Sequence, residues 1–281
     1  MKESGVRIQE SGVRSQGIGV RSQKSEDRRE ETVGQPAGVS PLSPDSCLLS
    51  PVSCLLHSDS SPPRILITSG PTREYLDPVR YLTNGSSGRM GAALAEAVLH
   101  QGSIAVVVSG PVAVSYPAGA EVHWVETTEQ MLQRCLELFP RCSGVIGAAA
   151  PCDFRPVSFS QQKISKLKNG GGITIQLSET PDILAALGNI KQPDQWSVAF
   201  ALETETLETE QGKHRALEKL RQKNCDLVVL NNPDSINKEE ATFHVFDATG
   251  TQQKTFTGSK RVFAEELLRL ALLRFAQRKA D

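Results

Sequence analysis

From Arg64 onward, short apolar runs alternate with helix-period stretches, and this alternation limits the fold more than any other feature of the sequence. "RILITSG" reads as a buried strand, "GRMGAALAEAVLHQG" as a helix ending at Gly102, "IAVVVSG" as a second strand and "EVHWVE" as a shorter one. "TTEQMLQRCLELF" is a helix whose threonines offer an N-cap. The strands "GVIGAAA" and "GITIQL", the short helix "TPDILAALG", the strand "WSVAFALET", a charged helix through about Lys223 and the strand "DLVVLNN" follow. Alternation of this kind predicts a mostly parallel sheet with helices on both faces, an α/β three-layer architecture, and about 220 residues suffice for one core. The tail, "TFHVFDATGTQQKTF" and then "SKRVFAEELLRLALLRFAQRK", predicts a hairpin and a closing amphipathic helix.

Residues 1–62 differ in texture. They are rich in Ser, Pro, Gly, Gln and charge, and open with a seven-residue repeat, "SGVRIQE", "SGVRSQG", "IGVRSQK". Each unit holds only one or two apolar residues beside glycine, too few for a coiled-coil seam. We expect a disordered arm over 1–62 and one folded domain over 63–281. An overextended reading frame starting ahead of the working protein is the alternative reading of the arm.

The 281 residues carry a formal net charge of −1. Bulk electrostatics therefore give no reason to expect nucleic acid or an anionic membrane as partner. No apolar run reaches the length of a membrane span, and "MKESGVRIQESG" lacks the apolar core of a secretory signal. The expected location is the cytoplasm. Cys47, Cys54, Cys135, Cys142, Cys152 and Cys225 form no C-x-x-C pair and no zinc-ligand spacing, and read as reduced packing thiols. Cys152 is given no chemical role.

The segment between the first strand and the first helix, "SGPTREYLDPVRYLTNGSSGRMG", is too long for a simple connection. In doubly wound folds this turn takes an anion on helix-start N–H groups. Its glycines, Gly85, Gly88 and Gly91, have the spacing G-x-x-G-x-x-G, which is not the dinucleotide fingerprint. A turn with an N-cap is the plainer reading of "NGSSG"; Arg73 and Arg80 on its flank favour a binding loop.

That loop closely resembles the corresponding segment of bacterial phosphopantothenate cysteine ligase, also called phosphopantothenoylcysteine synthetase, in the DNA/pantothenate metabolism flavoprotein family. The likeness continues through "AAAPCDFRP", "KISK", "ETPDILAAL", "FALETE", "EKLRQKNCDLVVLNN" and the closing helix, nearly everything after residue 63. It implies a Rossmann-like three-layer fold and a two-step amide synthesis. A nucleoside triphosphate, CTP in the bacterial type, activates the 4'-phosphopantothenate carboxylate as an acyl-cytidylate with loss of pyrophosphate; the cysteine amine then displaces CMP. Mg²⁺ is expected on the triphosphate, no flavin on this chain, a homodimer as the assembly, and the decarboxylase on a separate chain. Where relatives usually carry valine-alanine this chain has Pro151 and Cys152, and Ser165 stands for a lysine.

The resemblance also implies roles. Asn84 holds the acyl intermediate through its amide; an Asx cap is its other reading. Arg80 brings a cation to the activated carboxylate or substrate phosphate, against a surface ion pair with Asp77. Ser86, Ser87 and Gly88 bind phosphate, or else cap the helix, and Ala149 and Ala150 line the substrate side. Asp153 contacts the nucleotide, and Lys163, in a polar flap, closes over the intermediate. Pro181, Asp182, Ile183 and Leu184 meet the base with Phe200 beside them; their plain readings are a helix start and a core aromatic. Lys219 and Lys223, four apart on one helix face, bind phosphate or form a solvated stripe.

Two rivals follow from the same residues. A Rossmann-type NAD(P)-dependent oxidoreductase requires an acidic residue closing the second strand, where Ser109 and Gly110 stand. A non-catalytic nucleotide binder is conceivable from the altered Pro151, Cys152 and Ser165, but the retention of Asn84, Asp153 and Lys163 together speaks against it.

Overall fold

The computed structural model describes residues 61–166, 172–202, 218, 221–231, 238 and 240–280, all within a unit spanning Leu48–Asp281. Its centre is an eight-stranded sheet built from β1 (Arg64–Ser69), β4 (Ile104–Ser109), β5 (Glu121–Trp124), β6 (Gly144–Gly147), β9 (Trp196–Leu202), β10 (Leu227–Asn231), β11 (Glu240–Asp247) and β12 (Gln252–Ser259). The order is β12-β11-β10-β9-β6-β1-β4-β5. Every pairing from β10 to β5 is parallel, and β11 and β12 add an antiparallel edge. The mostly parallel α/β sheet and the closing hairpin are thus as the sequence pattern predicts, with the hairpin extending the main sheet.

Side-chain alternation explains the layers. Ile65 and Ile67 of β1, with Ala105 and Val107 of β4, face α1 (Arg89–His100) and α4 (Lys260–Ala280). Leu66, Val106, Val108 and Val145 face the other way, onto α2 (Thr128–Leu138) and α3 (Ile183–Ile190). Both faces of each central strand are wholly buried, which is why these strands read as unbroken apolar runs. Each such aliphatic side chain contributes roughly 1.5–3 kcal/mol on burial.

Local signals act as read. Thr127 caps α2 in a full capping box with Gln130, and Gly102 follows α1 at φ 72°. One expectation fails. "GITIQL" is not a strand of the sheet: only β8 (Leu177–Glu179) is extended, and it pairs with β7 (Phe154–Pro156) as a separate antiparallel ribbon. The alternation of Ile173, Ile175 and Leu177 has no core to face, for these side chains are 54%, 42% and 47% exposed. The long segment after β1 is also more ordered than a loop, folding as a small hairpin of β2 (Arg73–Tyr75) and β3 (Tyr81–Thr83). Most of the predicted charged helix before Lys223, including Lys219, lies outside the described residues, as does nearly all of the arm over 1–62.

The order in which strands are added reverses at β1. From β1 the chain moves outward through α1 to β4 and β5, then returns by α2 to β6 on the other side of β1. The connections leaving β1 and β6 therefore run to helices on opposite faces of the sheet, leaving a crevice where ligands bind in folds of this type.

Candidate active site

The crevice is floored by main chain. Beyond the sheet, Pro71 and Ala150 form a parallel bridge, the Ala150 N–H donates to the Gly70 carbonyl at 2.9 Å, and that of Ala149 to Thr68 Oγ1 at 3.3 Å. A threonine cluster locks the next turn. The Cys152 N–H donates to Thr72 Oγ1 at 2.8 Å, while its carbonyl accepts from Thr180 Oγ1 and from Thr128 Oγ1. The Thr72 and Thr128 hydroxyls share a hydrogen bond of 2.8 Å. The sequence marks Thr128 only as a helix-start threonine and gives Thr72 and Thr180 no role; their signal is position, just past strand ends and at a helix start.

Cys152 itself is 5% exposed. Burial pushes its thiol pKa up, which outweighs the hydrogen bond to Thr72. It is a packing residue, as its lone position in the sequence suggests.

Asn84 follows β3 and reaches across the crevice. Its Nδ2 donates to the Pro151 carbonyl at 2.8 Å and to the Ala150 carbonyl at 3.3 Å. Both amide protons thus go to the chain leaving β6. No described residue engages Oδ1, which is left to accept from a ligand.

The serine-glycine turn leads into α1. Its N-cap is Gly88 at φ 75°, and no side chain caps the first turn, so the capping reading of Ser86 and Ser87 does not apply. Only glycine fits at 88: a Cβ would enter the left-handed region and lie 2.7 Å from Val112 Cγ1. Gly91 seats the helix start on β1, since a Cβ there would stand 2.0 Å from Ser69 Oγ. The first turn of α1 thus has no side-chain cap for its amides, and amides of that kind are suited to an anion.

Arg80 closes the β2–β3 turn. Nη1 donates to Asp77 Oδ2 at 2.8 Å and Nη2 to the Ile164 carbonyl at 2.8 Å. The pairing with Asp77 was expected at the surface; instead Asp77 is fully buried and Arg80 alone is exposed. Burial raises the Asp77 pKa, yet N–H groups of Ile164, Val79 and Arg80 together with the Arg80 charge outweigh it and hold the carboxyl below its usual value. Lys163 is exposed beside Ile164.

The remaining candidates lie on the chain beyond β6. Asp153 is exposed, and its carbonyl accepts from the Thr180 N–H at 2.9 Å. Asp182 is the N-cap of α3, accepting from the Ala185 N–H at 3.0 Å, with Pro181 one residue before it. Ile183 and Leu184 are buried in the core, so only their main chain can meet a ligand. Lys223 Nζ lies 3.0 Å from Asp182 Oδ2. Asn224, at φ 49°, ends the preceding helix and donates from Nδ2 to the Gly188 carbonyl at 2.9 Å, which brings Lys223 to α3. Phe200 packs edge-on against Phe263, 6.3 Å between centroids, with its ring in the core. Among the described residues no three His, Cys, Asp or Glu side chains converge as a metal cage, and no helix is long and apolar enough to cross a membrane.

Comparison with known proteins places the chain in a family. A family model described as "DNA/pantothenate metabolism flavoprotein C-terminal domain" matches residues 61–273. The chain is 42% identical over 169 residues to the coenzyme A biosynthesis bifunctional protein CoaBC of Bacillus subtilis, covering 60% of this chain and 40% of that protein. With the protein of the same name from Haemophilus influenzae it shares 34% over 214 residues, 75% of this chain and 52% of that one. The chain thus spans about half or less of the length of these relatives. A crystal structure of the C-terminal domain of coenzyme A biosynthesis bifunctional protein CoaBC superposes with a TM-score of 0.63 at 32% identity, covering 76% of this chain and 96% of that domain.

Proposed function

The chain belongs to the DNA/pantothenate metabolism flavoprotein C-terminal domain family, and from that membership we propose that it is a phosphopantothenate cysteine ligase of coenzyme A biosynthesis. The observation that carries the reading is the bridge of Asn84 to Ala150 and Pro151, in the crevice beyond β1 and β6 and beside a helix start whose amides have no side-chain cap.

In this reading a carboxylate oxygen of 4'-phosphopantothenate attacks the α-phosphorus of CTP, and the bond to the pyrophosphate leaving group breaks. The cysteine amine then attacks the acyl carbon of the cytidylate, loses a proton and expels CMP as the amide forms. The first step brings a carboxylate up to a phosphate that repels it, and the second needs the amine aligned on the acyl carbon, so catalysis consists mainly of positioning and charge neutralisation. Asn84 Oδ1 and the main chain at Ala149 and Ala150 orient the acyl group. Ser86, Ser87 and Gly88 hold phosphate at the start of α1. Arg80 and Lys163 place two cations on the open side; Asp153, the main chain of Pro181, Asp182, Ile183 and Leu184, and Lys223 hold the nucleotide, with Phe200 backing it. Mg²⁺ would arrive with the triphosphate and would supply charge neutralisation there.

A homodimer accompanies the reading. Phe154, Val157, Phe159, Ile173, Ile175 and Leu177 leave an exposed apolar surface on and beside the β7–β8 ribbon, of the kind that a second copy covers. The reaction is assigned to the cytoplasm.

The test is to incubate protein with Mg²⁺, CTP and 4'-phosphopantothenate without cysteine and to look for the acyl-cytidylate by mass spectrometry, then add cysteine. Anhydride followed by phosphopantothenoylcysteine is expected. Neither species, with CTP or ATP and from folded protein, sinks the reading in favour of a binding-only member.

A further inference from the structure

Asp77 is a fully buried carboxylate with four donors on it. Oδ1 accepts from the N–H groups of Val79 at 2.8 Å and Arg80 at 2.9 Å, forming the turn between β2 and β3. Oδ2 accepts from Arg80 Nη1 at 2.8 Å and from the Ile164 N–H at 3.1 Å. The first pair explains the turn. The second does something a turn does not require, because Ile164 is 87 residues away in sequence.

Arg80 completes a ring. Its Nη2 donates to the Ile164 carbonyl at 2.8 Å, so the main chain of Ile164 is gripped on both its N–H and its C=O by one ion pair. Nearby, the Ser160 N–H donates to the Leu76 carbonyl at 3.0 Å. The segment carrying Lys163 is otherwise exposed and without regular structure, yet it is tied down one residue from that lysine. A buried anion bound on all four lone-pair sites, with one partner in a distant exposed segment, is costly to rearrange.

We propose that Asp77 is a positioning residue that acts through Lys163: by holding Arg80 and the Ile164 main chain together it fixes where the Lys163 ammonium stands relative to the crevice. The assignment of Lys163 to the reacting phosphate rests on the function proposed above; the grip itself does not. It also gives Arg80 a second duty, since its two terminal nitrogens are both engaged in this grip.

Asp77→Asn retains an oxygen for the Val79 and Arg80 amides and replaces the acceptor facing Ile164 and the guanidinium by a donor. The first readout needs no activity: amide exchange at Ile164 and Lys-specific proteolysis after Lys163 and Lys166. In the native protein the Ile164 amide is expected to exchange at least about tenfold slower than an unprotected peptide. In Asp77→Asn that protection is lost and cleavage accelerates by a similar factor, while Ile67 and Val107 in the sheet stay protected. The second readout is a double-mutant cycle in the ligase assay. Asp77→Asn and Lys163→Ala each lower kcat by about tenfold or more, with KM for 4'-phosphopantothenate little changed, and the double variant is no worse than Lys163→Ala alone.

Losses that multiply in the double variant, or an unchanged Ile164 amide, overturn the proposal. If Asp77→Asn does not fold, the native protein decides, because an Ile164 amide exchanging at the unprotected rate is equally fatal. A native protein that makes no acyl-cytidylate refutes the proposed reaction, and the exchange and cleavage data still judge the grip.

Discussion

Asn84 Nδ2 lies 2.8 Å from the Pro151 carbonyl oxygen, so the chain leaving β3 and the chain leaving β6 share a polar crosslink across the crevice. Because Asn84 contributes both this crosslink and its free Oδ1, substitution removes two things at once. Asn84→Ala is expected to slow turnover by on the order of a hundredfold or more, comparable to loss of an oxyanion-hole donor. Asn84→Asp loses both donors while facing two carbonyls, and is expected to be no better. Steady-state kinetics on folded variants check this, and turnover equal to the native enzyme rejects the role of Asn84.

Lys223 and Asp182 form a half-exposed pair. Pairs of this exposure contribute at most about 1 kcal/mol. Lys223→Ala is therefore expected to leave thermal stability nearly unchanged while raising KM for CTP on the order of tenfold, the equivalent of one charge-assisted hydrogen bond. A large drop in Tm with unchanged KM reverses the assignment.

Gly91 holds α1 against the end of β1. Gly91→Ala sets a methyl group against Ser69, which is wholly buried and cannot move aside. The expected cost is about 1–3 kcal/mol in urea unfolding, with the anion site displaced. Gly85→Ala, where nothing lies within 4 Å, is the control and should be close to neutral.

Burial raises the thiols of Cys142 and Cys225 to about 11, and raises Cys135 and Cys152 as well. At pH 8 these four stay protonated, and peptide mapping after brief iodoacetamide treatment of native protein should find them unmodified. The sign for stability follows. Thiols that ionise later in the folded state than in the unfolded chain give stability that is complete below the unfolded value near 9 and lost as pH rises toward about 11. A urea midpoint that does not decline over that interval contradicts the burial of these groups.

The sheet was legible because its strands are buried on both faces and its caps are local, as in Thr127 with Gln130. The ribbon was not, because Ile173, Ile175 and Leu177 alternate like a half-buried strand while lying outside the core, and periodicity cannot say what a face meets. In the site, the crossing of Asn84 to Pro151 was not legible, since nothing near residue 84 specifies a partner 67 positions on. Asp77 was half legible: its ion pair with Arg80 could be read from their spacing, but its burial and its bond to Ile164 depend on the returning chain. The assignments of Lys163, Asp153 and Lys223 remain part of the proposed function, and Lys219 lies outside the described residues.

The crevice joins segments far apart in the chain: 67 residues separate Asn84 from Pro151, and 84 separate Arg80 from Ile164. Contacts of such span form only after the strands between them have docked, since loop-closure entropy must first be overcome. During synthesis the nascent chain therefore has no pocket until β6 and the segment beyond it have emerged. On refolding from denaturant, recovery of substrate binding should trail recovery of helical signal, which makes ligand affinity a clock for the last stage of assembly.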